Sequence, residues 1–422
     1  MNKNYLTEIS VNNVRHLNNI KIPLSKENKV HLIITGKNGS GKTSLLEGIA
    51  NNLSVLERFS ISSYYDTKKN IEYNTNEVNR LENLLRDQPE MKESINLQIQ
   101  NQKKYLKSNI DLIKTYENKV TLKFNSIYEL DNLYHEGKYI VVYFNASRIT
   151  KMTEPKGIEK VKILDKYNFE PTAGEIFVKY LVDLKAQEMF AFQAGEIEES
   201  NKIKRWFEFL EKSLQDVFEA PSLTLKFNYK DYNFELIEPG KLPYTLNSLS
   251  SGYSSILNII TEIIIRMERN KRKFYDVQGI VIIDEIEAHL HLSLQKKVLK
   301  FLTDFFPNVQ FIVSSHSPFV LNSVENAIVY DLEKSTLLED LSAYSYKSIL
   351  EGYFGVDQYS NITKQNIKNY KYLSQLSSLT QTQQIEFEEL KGRFNDVPDL
   401  LSEELKLELA LSDLKRILGG TV

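Results

Sequence analysis

Cysteine is missing from all 422 residues, which excludes disulfides, thiolate metal sites and cysteine nucleophiles. Long apolar runs are missing too: no stretch approaches the roughly 20 uninterrupted apolar residues of a membrane span. Nor is there an excess of positive charge. The net charge of −3 argues against a uniformly basic nucleic-acid binder and leaves only local patches. Met1-Asn2-Lys3-Asn4 runs directly into a polar strand pattern without a secretory leader, so the sequence predicts a cytoplasmic protein with no membrane partner. Hydrophobic content of 41% and charged content of 26% are ordinary for a soluble globular protein. The length suits one large domain or two to three smaller ones.

The most informative stretch present is Gly36-Lys37-Asn38-Gly39-Ser40-Gly41-Lys42-Thr43. It follows the apolar run Val30 to Ile34 and precedes a helical pattern from Ser44 to Ala50, the strand–turn–helix context of a G-x-x-x-x-G-K-[ST] phosphate loop. Glycines let the backbone wrap an anion with its N–H groups turned inward, and the new helix adds its positive end. Gly36, Asn38, Gly39, Ser40, Gly41 and Ser44 form the cradle. Lys42 is expected to bridge the β- and γ-phosphates, and Thr43 to supply an oxygen to Mg²⁺.

Around this loop, Leu6 to Val11 and Ile20 to Leu24 read as strands of a β meander entering it. Between about Asp66 and Asn118 the sequence is polar and free of glycine. Ile71, Val78, Leu81 and Leu85 form one helical stripe; Ile95, Ile99, Leu106, Ile110 and Ile113 form another. Pro89 separates them, giving an antiparallel hairpin of roughly 20 residues per arm, about 30 Å long. Tyr139 to Phe144 reads as a strand ending in Asn145-Ala146-Ser147-Arg148, polar groups where α/β sheets place ligand contacts. A loop follows from Lys151 to Lys166. Two amphipathic helices come next, the second with Trp206 on its apolar stripe, and then a hairpin turning at Tyr229 to Asp231.

Three further segments end in chemistry. Leu249-Ser250-Ser251-Gly252-Tyr253 opens a long apolar helix, and its hydroxyls make an anion-facing cap. Ile280 to Ile283 is an apolar strand of the doubly covered type ending in Asp284-Glu285. Asp284 can hold Mg²⁺, often through water, and Glu285 can orient and deprotonate an attacking water. Phe311 to Val313 repeats the pattern before Ser314-Ser315-His316, whose imidazole can polarise a γ-phosphate. His289 and His291 stand two apart, and such positions diverge on a helix; with Glu287 they read as packing residues rather than metal ligands.

In order, these segments resemble the Walker A, signature, Walker B and switch-histidine motifs of ABC-type ATPases. Leu-Ser-Ser-Gly-Tyr in place of the transporter Leu-Ser-Gly-Gly-Gln, with Asp284-Glu285-Ile286-Glu287-Ala288-His289-Leu290-His291, looks like the OLD-like branch and its RecF and SMC relatives. The resemblance covers roughly residues 1 to 335. It implies an α/β fold: an ABC-type P-loop ATPase head with a mixed, mainly parallel sheet. The head would comprise residues 1–66 and 119–341, the hairpin (coiled-coil) insertion 67–118, and a helical C-terminal region 342–422. It also implies a homodimer with two ATP molecules between subunits, with higher homo-oligomers left open. One subunit would give Lys42, Thr43, Asp284, Glu285 and His316; the other would give Ser250, Ser251 and Gly252. Arg15 stands where this branch often places a nucleotide-contacting arginine. No Q-loop glutamine is evident, and Asn145 or Ser147 are its candidate replacements.

After His316 no Asp-x-Asp cluster follows a strand, so no Toprim nuclease is expected within this chain. Helical patterns continue through Leu400, Leu405, Leu407, Leu409, Leu411, Leu414 and Ile417. Tyr344 to Leu350 and Phe354 to Asp357 resemble the tails of stand-alone bacterial defence ATPases: Septu PtuA-like, PARIS AriA-like and retron-associated. The resemblance implies an ATP-hydrolysing sensor that controls a separate HNH or Toprim nuclease, triggered by nucleic acid or a phage protein. The alternative is an SMC/RecF-like DNA-binding ATPase of repair or recombination. For that reading the sequence offers one basic cluster, Arg266 and Arg269 with Lys271 to Lys273, which also reads as a solvated helix end. A scaffold that binds ATP without hydrolysis has no need of Glu285.

Overall fold

The computed structural model describes residues 3–58, 61–87, 91–114, 119–148, 151–164, 167–268, 277–339, 341, 344, 348, 349, 352, 361–376 and 378–395. The chain divides into two compact units, 1–344 and 345–422. The first begins with β1 (Leu6–Val14), β2 (Leu17–Pro23), β3 (His31–Thr35), α1 (Lys42–Leu53), the single turn α2 (Val55–Arg58), α3 (Ile61–Asp87) and α4 (Lys92–Lys114). It continues through β4 (Val120–Phe124), α5 (Ile127–His135), β5 (Tyr139–Phe144), α6 (Phe177–Gln193), α7 (Ile197–Phe218), β6 (Thr224–Asn228), β7 (Asn233–Ile237), β8 (Tyr244–Thr245) and α8 (Ser251–Glu268). It closes with β9 (Gln278–Ile283), α9 (Leu292–Gln295), α10 (Val298–Phe305), β10 (Val309–Ser314), α11 (Pro318–Leu321), β11 (Ala327–Asp331) and β12 (Thr336–Glu339).

Its main sheet has six strands in the order β12-β11-β3-β10-β9-β5. All pairings are parallel except that of the edge strand β12. Every residue of β3, β9 and β10 is buried, as strands covered on both faces must be. This is an α/β architecture with a strand–loop–helix of phosphate-loop type at β3 and α1, and its parallel strands bring the loops after β3, β5, β9 and β10 to one side. Open α/β sheets bind their ligands there, in the crevice outside the carboxyl ends of the strands.

The meander expected from residues 6 to 35 does not form as one sheet. β2 pairs with β1, and β1 with β4, in a separate antiparallel sheet of three strands. Burial along β2 alternates, whereas every residue of β3 is covered. A strand with one solvated face suits an outer antiparallel layer, and one covered on both faces belongs at the centre of a parallel sheet.

The α3–α4 hairpin is longer than expected, with arms of 27 and 23 residues. Leu81, Ile95 and Ile99 form its own small core, and Lys103 pairs with Glu82 across the arms at 2.7 Å. Near its base, Tyr65 donates to the Leu122 carbonyl at 3.0 Å and Tyr128 to Asp66 at 2.9 Å. A third sheet, β6-β7-β8, packs with α6 and α7, where Phe207 stacks on Phe234 and the buried Trp206 meets Tyr180 edge-on.

Arg266 overturns its reading as part of a basic, solvated helix end. It is buried in an ion pair with Glu262 at 2.6 Å, both on α8. Its remaining donors go to the carbonyls of Val141, Asn168 and Glu170, while Glu262 also accepts the Gly174 N–H. The partners come from segments about 90 to 125 residues away, a separation that local pattern does not disclose.

In the second unit, helices α12 (Asn361–Gln375) and α13 (Gln381–Asn395) share a cluster of Ile367, Tyr370, Leu373, Phe387, Leu390 and Phe394. Pro89, the run Arg269 to Lys273, most of 342–360, and the pattern from Leu400 to Ile417 lie outside the described residues.

Candidate nucleotide site

The Gly36–Thr43 loop joins β3 to α1. Gly41 precedes the helix at φ +98°, in the region that costs a side-chain-bearing residue most. A Cβ there would also lie 3.1 Å from His16 and Leu17. Asn38 and Gly39 are exposed on the loop, while Lys42 and Ser44 are buried. The Lys42 ammonium donates to the Gly36 and Lys37 carbonyls at 3.0 and 3.1 Å. Burial pulls its pKa below the ordinary lysine value, against the pull of Glu285 and Asp284.

From Thr43 the site continues across the strand ends. Thr43 Oγ1 donates to Asp284 Oδ2 at 2.8 Å, and Ser314 Oγ donates to Asp284 Oδ1 at 2.5 Å while accepting the Glu285 N–H at 2.7 Å. Asp284 is thus held from both sides at the end of β9. Glu285 follows at φ +46°, a left-handed backbone uncommon for a residue with a side chain, and it is half-buried. Beyond it, Glu287 accepts the His316 backbone N–H at 2.5 Å. Burial pushes the Glu287 carboxyl up. Burial, then the nearby Lys42, push the His316 imidazole down, so it stands neutral near pH 7.

Arg148 completes the site. Its guanidinium lies behind Asp284 and Glu285 and donates to their carbonyls at 2.5 and 2.9 Å. Asn145 and Ser147, the two candidates for the missing glutamine, are exposed nearby after β5. Neither Ser314 nor Arg148 stood out in the sequence; the only signal was their place just at or after apolar strands, where α/β proteins keep their sites.

The structure therefore brings Lys42, Thr43, Asp284, Glu285 and His316 to one edge of the sheet. Ser250 and Ser251 are exposed at the start of α8, and Gly252 behind them is buried. A Cβ on Gly252 would lie 2.8 Å from the His289 carbonyl, so that close approach requires glycine. Arg15, in the β1–β2 turn, is exposed and lies 3.8 Å from Glu47. Its neighbour His16 is the residue at the loop, with Nε2 3.0 Å from the Ser40 carbonyl. His289 is exposed, and His291 Nδ1 lies 3.3 Å from Ser293 Oγ, while Glu287 is committed to His316.

Two observations fit a nucleotide with its metal. Buried Ser40 Oγ and His316 Nε2 have no partner among the described residues, which suits a phosphate that can take up both. Thr43 and Asp284 already share a hydrogen bond, a pair of hard oxygen donors suited to Mg²⁺, which takes few protein ligands and keeps water and phosphate for the rest. Among the described residues no group of three or more His, Cys, Asp or Glu could hold a metal alone, and no helix is long and apolar enough to cross a membrane.

Similar proteins accord with this geometry. Septu protein PtuA of Bacillus mycoides (strain KBAB4) is 26% identical over 352 residues, covering 81% of this chain and 42% of that protein. The Retron Ec83 probable ATPase of Escherichia coli is 34% identical over 101 residues, 23% of this chain and 19% of its own length. The chain thus spans less than half the length of these curated relatives. The SmcHead bound to the C-winged helix domain of ScpA aligns over 81% of this chain and 100% of its own at 13% identity, with a TM-score of 0.38, an overlap too low to add to the topology above. The family described as "AAA domain, putative AbiEii toxin, Type IV TA system" matches residues 32–322, well over half of the sequence, and the chain belongs to that family.

Proposed function

We propose that this site binds ATP with Mg²⁺ and hydrolyses it, and that the chain is the nucleotide-dependent regulator of an anti-phage defence system acting through a separate nuclease. The observation that carries the hydrolytic reading is the continuous linkage Thr43–Asp284–Ser314–Glu285, which fixes a metal-binding pair beside a half-buried carboxylate. Lys42 binds the β- and γ-phosphates in place of the two loop carbonyls. Glu285 orients a water in line with the γ-phosphorus and takes its proton as the new P–O bond forms; the bond to the bridging oxygen breaks and ADP departs. Mg²⁺, when bound by Thr43 and Asp284, supplies charge neutralisation on the β- and γ-oxygens. Positioning provides most of the rate.

Ser250 and Ser251, exposed at a helix start, suit the γ-phosphate of a second copy. In that arrangement ATP closes a homodimer and hydrolysis reopens it. The defence role and the nuclease partner rest on the similarity to Septu PtuA and to the retron ATPase, and a cytoplasmic location follows from that role.

The test is phosphate release, nucleotide binding and size in solution for three proteins. The parent should hydrolyse ATP. Lys42→Ala should lose binding. Glu285→Gln should bind ATP as the parent does, lose roughly 10² to 10³ in turnover, comparable to other removed catalytic groups, and accumulate as a dimer with ATP. Parent-level hydrolysis by Glu285→Gln would remove it as the base. Co-purification of the neighbouring gene's product tests the nuclease partnership; duplex DNA binding that appears only with ATP would favour the SMC/RecF-like alternative.

A further inference from the structure

Arg148 is 4% exposed, and its guanidinium bonds to a hydroxyl and to backbone carbonyls. Nε donates to Ser255 Oγ at 3.0 Å. Nη1 donates to the carbonyls of Asp284 at 2.5 Å and Asn145 at 3.3 Å; Nη2 donates to those of Glu285 at 2.9 Å and Ile286 at 3.4 Å. These bonds use the full donor set of a guanidinium. Three of them gather the carbonyls of consecutive residues, 284 to 286, on one side chain. Consecutive carbonyls converge this way where the backbone turns out of the strand, and here the turn includes Glu285 at φ +46°. A strained conformation of this kind persists only where its surroundings over-determine it; Ser314 holds the N–H side of this turn and Arg148 its carbonyl side.

The fifth donor reaches another element. Ser255 lies on α8, three residues after Gly252. One side chain thus joins the turn that carries Glu285 to the helix whose start presents Ser250 and Ser251. The charge is kept: burial pulls the Arg148 pKa down only to about 10, with Glu287, Asp284 and Glu285 opposing. A lysine in this place would keep the charge but not the planar fork that serves several carbonyls at once.

We propose that Arg148 is a positioning residue for hydrolysis: it holds the Glu285 turn in register and ties it, through Ser255, to the start of α8. This rests on the hydrolytic reading of the site above. When the exposed serines at that helix start engage nucleotide on a second copy, the link through Ser255 passes the event to the same subunit's Glu285. Nucleotide binding, which depends on the Lys42 loop, does not run through Arg148.

Arg148→Lys, Arg148→Ala and Ser255→Ala, measured beside the parent for ATP affinity, kcat, KM and thermal midpoint, test this. The expected result for Arg148→Lys is ATP affinity and KM within about threefold of the parent and kcat at least about tenfold lower, the pattern of an interaction needed only for the chemical step. Ser255→Ala, which removes one of the five bonds, should lower kcat less than Arg148→Lys does and lose severalfold of the rise in specific activity with protein concentration. Parent-like kcat in Arg148→Lys overturns the proposal, as does an equal loss of ATP affinity and kcat with a lowered midpoint, which marks a purely structural residue. Where Arg148→Ala fails to fold, Arg148→Lys carries the decision. If the parent itself releases no phosphate, the hydrolytic reading fails and this proposal with it; if the parent is active and only the Arg148 result is parent-like, this proposal fails alone.

Discussion

At the amino ends of β9, β10 and β3 stand Gln278, Gln310 and His31; beyond the carboxyl ends of the same strands stand Asp284, Ser314 and the Gly36 loop. The first set directs most of its polar atoms to the backbone of other segments, and only His31 Nε2 of the three side chains is left over among the described residues. Gln278 accepts the Asn4 N–H at 2.7 Å, and Gln310 accepts the Leu6 N–H at 2.8 Å while donating to the Leu6 and Val30 carbonyls. His31 Nδ1 accepts the Phe311 N–H at 3.0 Å. These uncharged groups stitch the outer strand β1 and the central strands together. At the opposite end, carboxylates, hydroxyls and ammonium bond mainly among themselves and to one turn, and Ser40 Oγ and His316 Nε2 keep unspent capacity. Burial alone does not separate the two ends, since Asp284 and Gln310 are both covered. What separates them is what the polar atoms bond: the backbone of distant segments at one end, one another and a single turn at the other.

Three measurements press on that distinction. The largest effect is expected at Arg266, charged yet fully committed to Glu262 and three carbonyls. Arg266→Ala leaves the Glu262 carboxylate buried and unpaired, which costs about 3–5 kcal/mol in unfolding. Denaturant titration should show that loss, with hydrolysis per folded molecule unchanged; a variant of normal stability and low turnover would move Arg266 to the other class.

A smaller effect is expected from pH. Burial holds His31 down at about 3, below its ordinary 6.5. The unfolded chain therefore binds the proton first as pH falls. The stability that neutral His31 contributes is complete above about pH 6.5 and is lost progressively toward pH 3, with about 2 kcal/mol gone at pH 5. His31→Asn should lose about that much less than the parent between pH 7 and pH 5. His316 shifts in the same direction and is present in both proteins, so it cancels in the comparison. Equal slopes would show that His31 is not held neutral.

The smallest effect belongs to Ser250, exposed at the start of α8. Ser250→Ala should leave the unfolding midpoint unmoved and weaken ATP-dependent self-association about tenfold, or about 1.4 kcal/mol. Analytical ultracentrifugation with ATP in a Glu285→Gln background reads it directly. A fall in stability without a change in self-association would assign this hydroxyl to the fold.

Much of the molecule is legible in local pattern. The strand, loop and helix over 31–53, the apolar runs before Asp284 and Ser314, and the two stripes of the hairpin are each written within about 10 to 25 neighbouring residues, the range over which periodicity operates. What pattern does not disclose are lone polar residues whose partners are distant. Arg148 meets Asp284 and Glu285 from more than 130 positions away, and Gln310 meets Leu6 from more than 300. The split of residues 6 to 35 into two sheets is of the same kind: each strand is locally evident, but which neighbour it takes is decided by how many of its faces can be covered. The β1–β2 turn shows a finer limit: nothing in its local pattern marks His16 as the residue that meets the Ser40 carbonyl.

The hairpin has a mechanical consequence. Its α3 arm, with 27 residues, is about 40 Å long at ~1.5 Å per residue, and its base is fastened to β4 and α5 by Tyr65 and Tyr128. β4 is paired along β1, and β1 leads into the turn whose His16 touches Ser40. A stiff arm gripped at one end converts angle into distance: a tilt of about 5° at the base carries the far end through about 3.5 Å for a rod of this length. Displacements of a few tenths of an ångström beside the phosphate loop, too small to open a protein contact, become at the tip the width of a side chain.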